Sequence, residues 1–332
     1  MATKGRSIVV TGASAGVGRA VAVRLARPGD CVALLARDAA ALEAAAREVE
    51  AKGAQTTILA CDVADAEAVF RAGRRAAEVQ GGIDIWVNAA MVAVFGTVRQ
   101  VTPEEVRRVT EVTYLGSVHG TMAALEAMRG PDRGLIVQIG SALAYRGIPL
   151  QAAYCGAKHA IRGFLGSLRA ELIAEGSGIA ITEIHLPAVN TPQFDWARTH
   201  RDRAPRPAGP VYQPEAIAEA VAAAVDRPAR DYWLGRQGPL IILGTLVAPG
   251  LLDRLVARGG ISGQTTDEPV APDRQDNLNH PVSGLHRTRG RFDAEAADRV
   301  PAFEARTVRI AVVVLGLLAG AAAGAAVTLA LV

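Results

Sequence analysis

The stretch IVVTGASAGVG, residues 8–18, decides the fold of this chain. Its first three residues are an apolar strand, glycines stand at positions 12, 16 and 18, and a helix opens at Arg19. Glycines let the backbone turn sharply and approach a ligand closely, and a helix N-terminus offers free N–H groups and a partial positive charge. The order strand, glycine turn, helix therefore predicts a site for the pyrophosphate of a dinucleotide. A tight turn that binds nothing is the alternative.

Short apolar runs alternate with helical patterns up to about residue 255. Helical spacing covers residues 38–52 and 66–80, and Thr102 caps a further helix that has Pro103 at its first position and Glu105 three residues after the cap. The predicted strands are residues 7–10, 31–36, 56–61, 83–89, 135–140 and 179–186. This alternation predicts an α/β fold, a doubly wound parallel sheet of the Rossmann type, in one domain over residues 1–260.

Composition excludes several classes of protein. Half of the 332 residues are hydrophobic, only 4% are aromatic, and the formal net charge is +3. No basic block is interleaved with aromatic residues, so the sequence predicts no nucleic-acid partner. Cys31, Cys61 and Cys155 lie far apart without CxxC spacing, which predicts reduced thiols and no metal site.

The amino-acid composition of the C-terminal region changes twice. Residues 261–306 are rich in charged residues, proline and glycine, which predicts a polar tail or linker. Residues 307–332 include an uncharged run from Ile310 onward whose helical length of about 34 Å would cross a hydrocarbon core. We therefore predict a single-pass C-terminal membrane anchor with the catalytic domain in the cytoplasm. A soluble cytoplasmic protein, with an alanine-rich helix packed on the domain, is the alternative.

Three side chains could carry chemistry together. Ser141 ends the fifth predicted strand, and Tyr154 and Lys158 stand four residues apart, on one face of a helix. An ammonium group near a phenol favours the phenolate, so we expect Lys158 to lower the pKa of Tyr154 toward working pH. Such a tyrosine exchanges a proton with a carbonyl or alcohol oxygen. The alternative is ordinary packing for the tyrosine, solvation for the lysine and helix capping for the serine.

The pattern TGxxxGxG over residues 11–18, followed by the strand-end serine and by YxxxK, resembles the short-chain dehydrogenase/reductase family over about residues 5–255. The resemblance implies hydride transfer between a nicotinamide and the carbonyl or secondary alcohol of a small molecule, in a homo-oligomer. It also implies a cofactor site formed by Thr11, Gly12, Ser14, Gly16, Val17, Gly18, Arg37, Asp62, Val63, Asn88, Tyr154, Lys158 and Thr191.

The end of the second strand bears on the choice of cofactor. Ala36 stands where an acidic residue would bind the ribose 2′-hydroxyl of NAD, and Arg37 follows it. A guanidinium group can bind a 2′-phosphate through charge-assisted hydrogen bonds. We therefore expect NADP(H) to be preferred over NAD(H).

The chain departs from the family pattern at several positions. The segment after the fourth strand reads Asn88-Ala89-Ala90-Met91, and Thr113 aligns with the asparagine that completes the family's catalytic group. Thr113 is kept as a candidate catalytic residue that orders a water. These departures leave open a catalytically weak nucleotide-binding scaffold or sensor, or an epimerase or dehydratase. Residues 191–213 are expected to form a lid, and the predicted anchor suggests a lipophilic substrate.

Overall fold

The computed structural model describes residues 5–330, with side chains up to residue 318. Its strands are β1 Ser7–Thr11, β2 Cys31–Ala36, β3 Gln55–Ala60, β4 Ile85–Asn88, β5 Val94–Phe95, β6 Arg133–Ser141, β7 Gly178–Leu186, β8 Ala188–Val189, β9 Arg198–Thr199, β10 Arg203–Pro205, β11 Val211–Tyr212, β12 Asp231–Leu234, β13 Thr265–Pro269, β14 Ala296–Ala297 and β15 Ala302–Glu304.

The helices of the same residues are α1 Gly16–Leu25, α2 Ala39–Glu50, α3 Ala66–Gln80, α4 Pro103–Val109, α5 Gly116–Met128, α6 Ala152–Glu175, α7 Gln193–Trp196, α8 Pro214–Asp226, α9 Gln237–Val247, α10 Pro249–Gly259 and α11 Ala305–Ala330. A π-helical turn, Thr110–Leu115, joins α4 to α5. The predicted cap of α4 is confirmed, because Thr102 and Glu105 each bond the other's backbone.

One eight-stranded sheet organises the domain. Seven parallel strands run in the order β3-β2-β1-β4-β6-β7-β12, and β15 adds antiparallel to β12. Apolar side chains from both faces of this sheet form two large buried clusters with the flanking helices. The predicted Rossmann-type α/β fold is confirmed. Because the strand order reverses between β1 and β4, a crevice opens at the carboxyl ends of these strands.

The region predicted as a polar tail lies on the domain. Strand β13 pairs with β10, β14 with β11, and β15 with the edge strand β12. Backbone pairing of this kind requires no apolar periodicity, so a polar composition did not prevent the segment from taking a fixed path.

The membrane-spanning helix predicted for residues 310–332 coincides in part with α11. Among the described residues, no helix meets the length and apolarity needed to cross a bilayer. Residues 331 and 332 of that prediction lie outside the described residues.

Candidate active site

The glycine turn between β1 and α1 is too closely packed for side chains. Gly12 has a φ of +71°, and a Cβ there would come within 2.8 Å of the backbone of Ala90. A Cβ at Gly18 would lie 2.2 Å from the carbonyl oxygen of Gly12. This close approach of β1, β4 and α1 leaves the N-terminus of α1 facing the crevice, as a dinucleotide pyrophosphate requires.

A cavity of about 480 Å³ runs from this turn to the end of β6. Its wall is mainly apolar around the reacting groups, with Val92, Leu143 and Ile148 among its residues. The predicted site residues on its wall are Gly12, Ser14, Gly16, Val17, Gly18, Arg37, Asp62, Val63, Ser141, Tyr154, Lys158 and Thr191. The structure therefore brings most of the predicted cofactor and catalytic residues to one cavity.

Ser141, Tyr154 and Lys158 meet at one end of the cavity. Ser141 ends β6, where its Oγ accepts a hydrogen bond from the Leu143 N–H at 3.1 Å, and its hydroxyl lies close enough to the Tyr154 phenol to lower the pKa of that phenol. Lys158 is buried, and its Nζ donates to the Ile139 carbonyl oxygen at 2.8 Å and lies 5.6 Å from the centroid of the Tyr154 ring. The proton-exchanging group and the serine that would bind the substrate oxygen are thus adjacent.

The electrostatics of this pair differ from the expectation. Burial raises the pKa of Tyr154 above its ordinary value, against the lowering effect of the hydrogen bond with Ser141. Burial also lowers the pKa of Lys158 to about 8, against an opposing effect of Glu183. The ammonium lies over the tyrosine ring and its hydrogen bond goes to a backbone carbonyl, so desolvation dominates both groups.

Thr11, Asn88 and Thr113 do not line the cavity. The Thr11 hydroxyl accepts from the N–H groups of Ala89 and Ala90, and so ties β1 to the end of β4. The Asn88 side chain bonds Trp86, Thr121 and the backbone of Ser117. Thr11 and Asn88 therefore support the wall of the crevice without facing the cavity.

Thr113 lies in the π-helical turn and is fully buried. Its Oγ1 donates to the Val92 carbonyl oxygen at 3.0 Å and accepts from the Val92 N–H at 3.1 Å. The hydroxyl proton is therefore engaged by backbone, and the expected ordering of a catalytic water by Thr113 has no support in this geometry.

The far end of the cavity carries the predicted adenosine-binding residues. Arg37 donates three hydrogen bonds, of 2.6 to 3.3 Å, to the carbonyl oxygens of residues 277–279. Asp62 accepts from the Ala64 N–H at 3.0 Å and forms an ion pair with Arg108. Arg37 has five N–H donors in all, so its guanidinium retains donors for a phosphate.

Sequence reasoning missed a set of cavity residues from the C-terminal region: Asn277, Pro281, Val282 and His286. They lie in a stretch without apolar periodicity, so no local signal pointed to them.

The sequence analysis also missed the buried network behind Ser141. His185 lies with Nδ1 3.3 Å from the Ser141 carbonyl oxygen and Nε2 3.3 Å from the Tyr145 hydroxyl.

In this network the carboxylates of Glu183 and Asp231 lie next to His185. Ligand atoms of Glu183, His185 and Asp231 lie within 4.8 Å of one another. Arg169 bonds Glu183 at 2.8 Å and Arg309 bonds Asp231 at 2.7 Å, so arginines already neutralise both acids. Burial lowers the pKa of His185 to about 3, which keeps its ring neutral. The cluster is a structural support for the end of β6.

Several known proteins resemble this chain. It is 34% identical over 324 residues to the uncharacterized oxidoreductase YxnA of Bacillus subtilis, an alignment that covers 96% of this chain and 91% of that protein. It is 29% identical over 264 residues to dehydrogenase/reductase SDR family member 7B of Bos taurus, covering 75% and 80% of the two chains.

Solved structures also resemble this chain. An alcohol dehydrogenase from Thermococcus sibiricus, complexed with 5-hydroxy-NADP, superposes with a TM-score of 0.59 at 28% identity and covers 68% of this chain and 94% of its own. A metagenomic short-chain oxidoreductase in complex with NADP gives 0.57 at 26% identity, with the same coverage.

Residues 6–202 match the sequence profile of the family described as short chain dehydrogenase, and this stretch contains the glycine turn, Ser141, Tyr154 and Lys158. The chain therefore belongs to the short-chain dehydrogenase family, and it is an NAD(P)-dependent oxidoreductase that acts on CH–OH or C=O groups.

Proposed function

We propose that the protein interconverts a lipophilic ketone or aldehyde and its alcohol with NADP(H), and that Tyr154 transfers the proton. The observation that carries this proposal is the placement of Ser141, Tyr154 and Lys158 together on the wall of a cavity whose other end is the glycine turn. When bound, the nicotinamide supplies or accepts the hydride.

The residues of this chain divide the remaining work. In the reductive direction Ser141 donates a hydrogen bond to the substrate carbonyl oxygen and holds it near Tyr154. The Tyr154 hydroxyl gives that oxygen its proton, and in the oxidative direction it takes the proton back. A phenol whose pKa is raised by burial keeps its proton until the substrate oxygen becomes basic, which suits the reductive direction. The buried side chain of Lys158 lies over the Tyr154 ring and keeps the ring in place.

The preference for NADP(H) is supported by the position of Arg37. Its guanidinium lies on the cavity wall beyond the end of β2, and Ala36 leaves no carboxylate at the strand end to repel a 2′-phosphate. Two similar solved structures contain NADP or 5-hydroxy-NADP. Asp38, which also lines the cavity, would oppose a phosphate, so the balance between Arg37 and Asp38 sets the preference.

The apolar walls support a lipophilic substrate. Near the catalytic tyrosine the cavity presents Leu143, Ile148, Phe194 and Ile241. Phe194 belongs to the segment 191–213, for which we propose the role of a lid. A carbonyl compound with an extended apolar group buries that group here, at about 25 cal/mol per Å².

The test measures cofactor binding and turnover separately on the full chain. NADPH and NADH are titrated by fluorescence, and NADPH oxidation is then followed with ketones and aldehydes of graded length. We expect tighter binding of NADPH, activity that rises with apolar length, and a loss of about 10²- to 10⁴-fold in kcat for Tyr154→Phe. A Tyr154→Phe enzyme within a few-fold of the wild type would contradict the mechanism.

Tyr232→Phe is the matched control, because the Tyr232 hydroxyl donates to the Arg227 carbonyl oxygen and the residue does not line the cavity. Binding of NADPH without turnover of any compound in the panel would favour the sensor or scaffold function. For the quaternary structure we propose a homo-oligomer, which sedimentation of the purified protein tests.

A further inference from the structure

Residues 274–292, here called the strap, cross the crevice that holds the proposed cofactor. On the side of the glycine turn, the Gly16 N–H donates to the Arg287 carbonyl oxygen at 3.0 Å, and Arg19 donates to that of His286 at 3.1 Å. Arg37 binds three further strap carbonyls, and the Leu278 side chain is buried in the core cluster beneath. The strap is thus anchored to the dinucleotide-binding half of the domain.

The strap is equally attached to the lid on the opposite side. The His286 ring lies 5.0 Å from the Trp196 ring, and the Asn277 N–H donates to the Trp196 carbonyl oxygen at 2.9 Å. Arg287 forms an ion pair with Asp195 at 2.9 Å. A segment bonded to both sides of a crevice encloses whatever lies beneath it.

Two strap residues on the cavity wall carry buried polar atoms without a hydrogen bond. Within the described part of the chain, neither ring nitrogen of His286 has a hydrogen-bond partner, and the Asn277 Oδ1 has none. The His286 Nε2 lies 3.4 Å from the Asp38 Oδ2 without the alignment of a hydrogen bond. Buried polar groups are nearly always paired, so these atoms on the cavity wall are available to hydrogen-bond a ligand in the cavity.

We propose that the strap is part of the cofactor site and that His286 donates a hydrogen bond to the adenosine-phosphate half of the bound dinucleotide. This inference rests on the proposed function and adds a binding residue from outside the segment that matches the family. Arg19, Arg37 and the N-terminus of α1 lie near His286, and the free donors of Arg37 suit phosphate oxygens; the opposing charge is Asp38, whose Oδ2 lies 3.4 Å from the His286 Nε2.

The chemistry of His286 fits this role. Burial lowers its pKa, Asp38 opposes that effect, and the neighbouring arginines add to it. A neutral imidazole keeps one N–H donor, which a phosphate or ribose oxygen can accept.

His286→Phe tests the proposal, because it keeps a ring against Trp196 and removes both nitrogens. We expect the Kd for NADPH to rise about five- to tenfold, the effect of one lost hydrogen bond. His280→Phe is the matched control, since His280 is an exposed histidine of the same strap. A His286→Phe protein that binds NADPH within twofold of the His280→Phe protein overturns the proposal.

The comparison with NADH identifies the oxygen that is bound. An equal loss for NADPH and NADH places the contact on the shared pyrophosphate or ribose, and a loss confined to NADPH places it on the 2′-phosphate. Hydrogen exchange gives an independent readout: NADPH should slow exchange of residues 274–292 in the wild type, and unchanged exchange overturns the enclosure. If the wild type binds neither nucleotide, the proposed function fails and this inference fails with it, whereas a wild type that binds NADPH no more tightly than His286→Phe overturns this inference alone.

Discussion

The buried ammonium of Lys158 gives the sharpest prediction. Its pKa is lowered from 10.5 to about 8 because the folded protein desolvates the charge. In the unfolded chain the lysine keeps its ordinary pKa, so between these two values the unfolded state binds more protons than the folded state. Stability must therefore rise with pH across this window, and the stabilisation is lost as pH falls toward 8.

The magnitude follows from the size of the shift. A difference of about 2.5 pKa units at about 1.4 kcal/mol each corresponds to about 3–4 kcal/mol, most of it gained between pH 8 and 10.5. Lys158→Met keeps an unbranched side chain of similar length and removes the titration. We expect the free energy of unfolding of the wild type, relative to this variant, to increase by about 2–3 kcal/mol from pH 7.5 to pH 10.

Urea unfolding followed by circular dichroism at several pH values measures this difference. All other titrating groups are common to both proteins, so their contributions cancel in the comparison. Lys52→Met, which removes an exposed ammonium group, is the matched control. A constant difference between wild type and Lys158→Met over this range would refute the assignment of a desolvated ammonium.

Three further predictions concern the fold around the site. Gly18→Ala should abolish NADPH binding in a titration, because its Cβ would lie 2.2 Å from a carbonyl oxygen of the glycine turn and force the backbone apart. Thr113→Val should cost about 2–3 kcal/mol in urea unfolding, since the buried N–H and C=O of Val92 lose their partner, and Thr113→Ser should restore most of it. Arg309→Met should cost about 1–2 kcal/mol, because it removes a 2.7 Å hydrogen bond from the buried Asp231; a melting temperature equal to that of the wild type would contradict this.

The parts of the fold that the sequence predicted are those with local causes. Strand β2 has the predicted bounds of Cys31 and Ala36, and α3 the predicted bounds of Ala66 and Gln80. Apolar runs between turn residues specify such elements without reference to the rest of the chain. The glycine turn and the pair at Tyr154 and Lys158 belong to the same class, because a turn and an i, i+4 spacing are local geometry.

The pKa shifts of Tyr154 and Lys158 could not be predicted from local sequence in this way. Spacing predicts that Tyr154 and Lys158 share a helix face, but the sign of the pKa shift depends on how much water the surrounding fold removes. Here the desolvation of both groups exceeds their mutual interaction, so the phenol pKa moves up and the ammonium pKa moves down. Thr113 is a similar case, because only the approach of Val92 determines where its hydroxyl proton goes.

The strap shows a different limit of sequence reasoning. Its polar composition predicted a tail or linker, because a segment with few apolar residues cannot offset the entropy of ordering through burial alone. The structure orders it by charge instead: Arg287 and Arg291 of the strap both reach Asp195 of the lid, and Arg274 donates to the backbone there. Ion pairs between segments about eighty to a hundred residues apart leave no periodic trace in either segment. In this chain a charged C-terminal stretch therefore packs against the cavity wall, held by ion pairs between its arginines and Asp195.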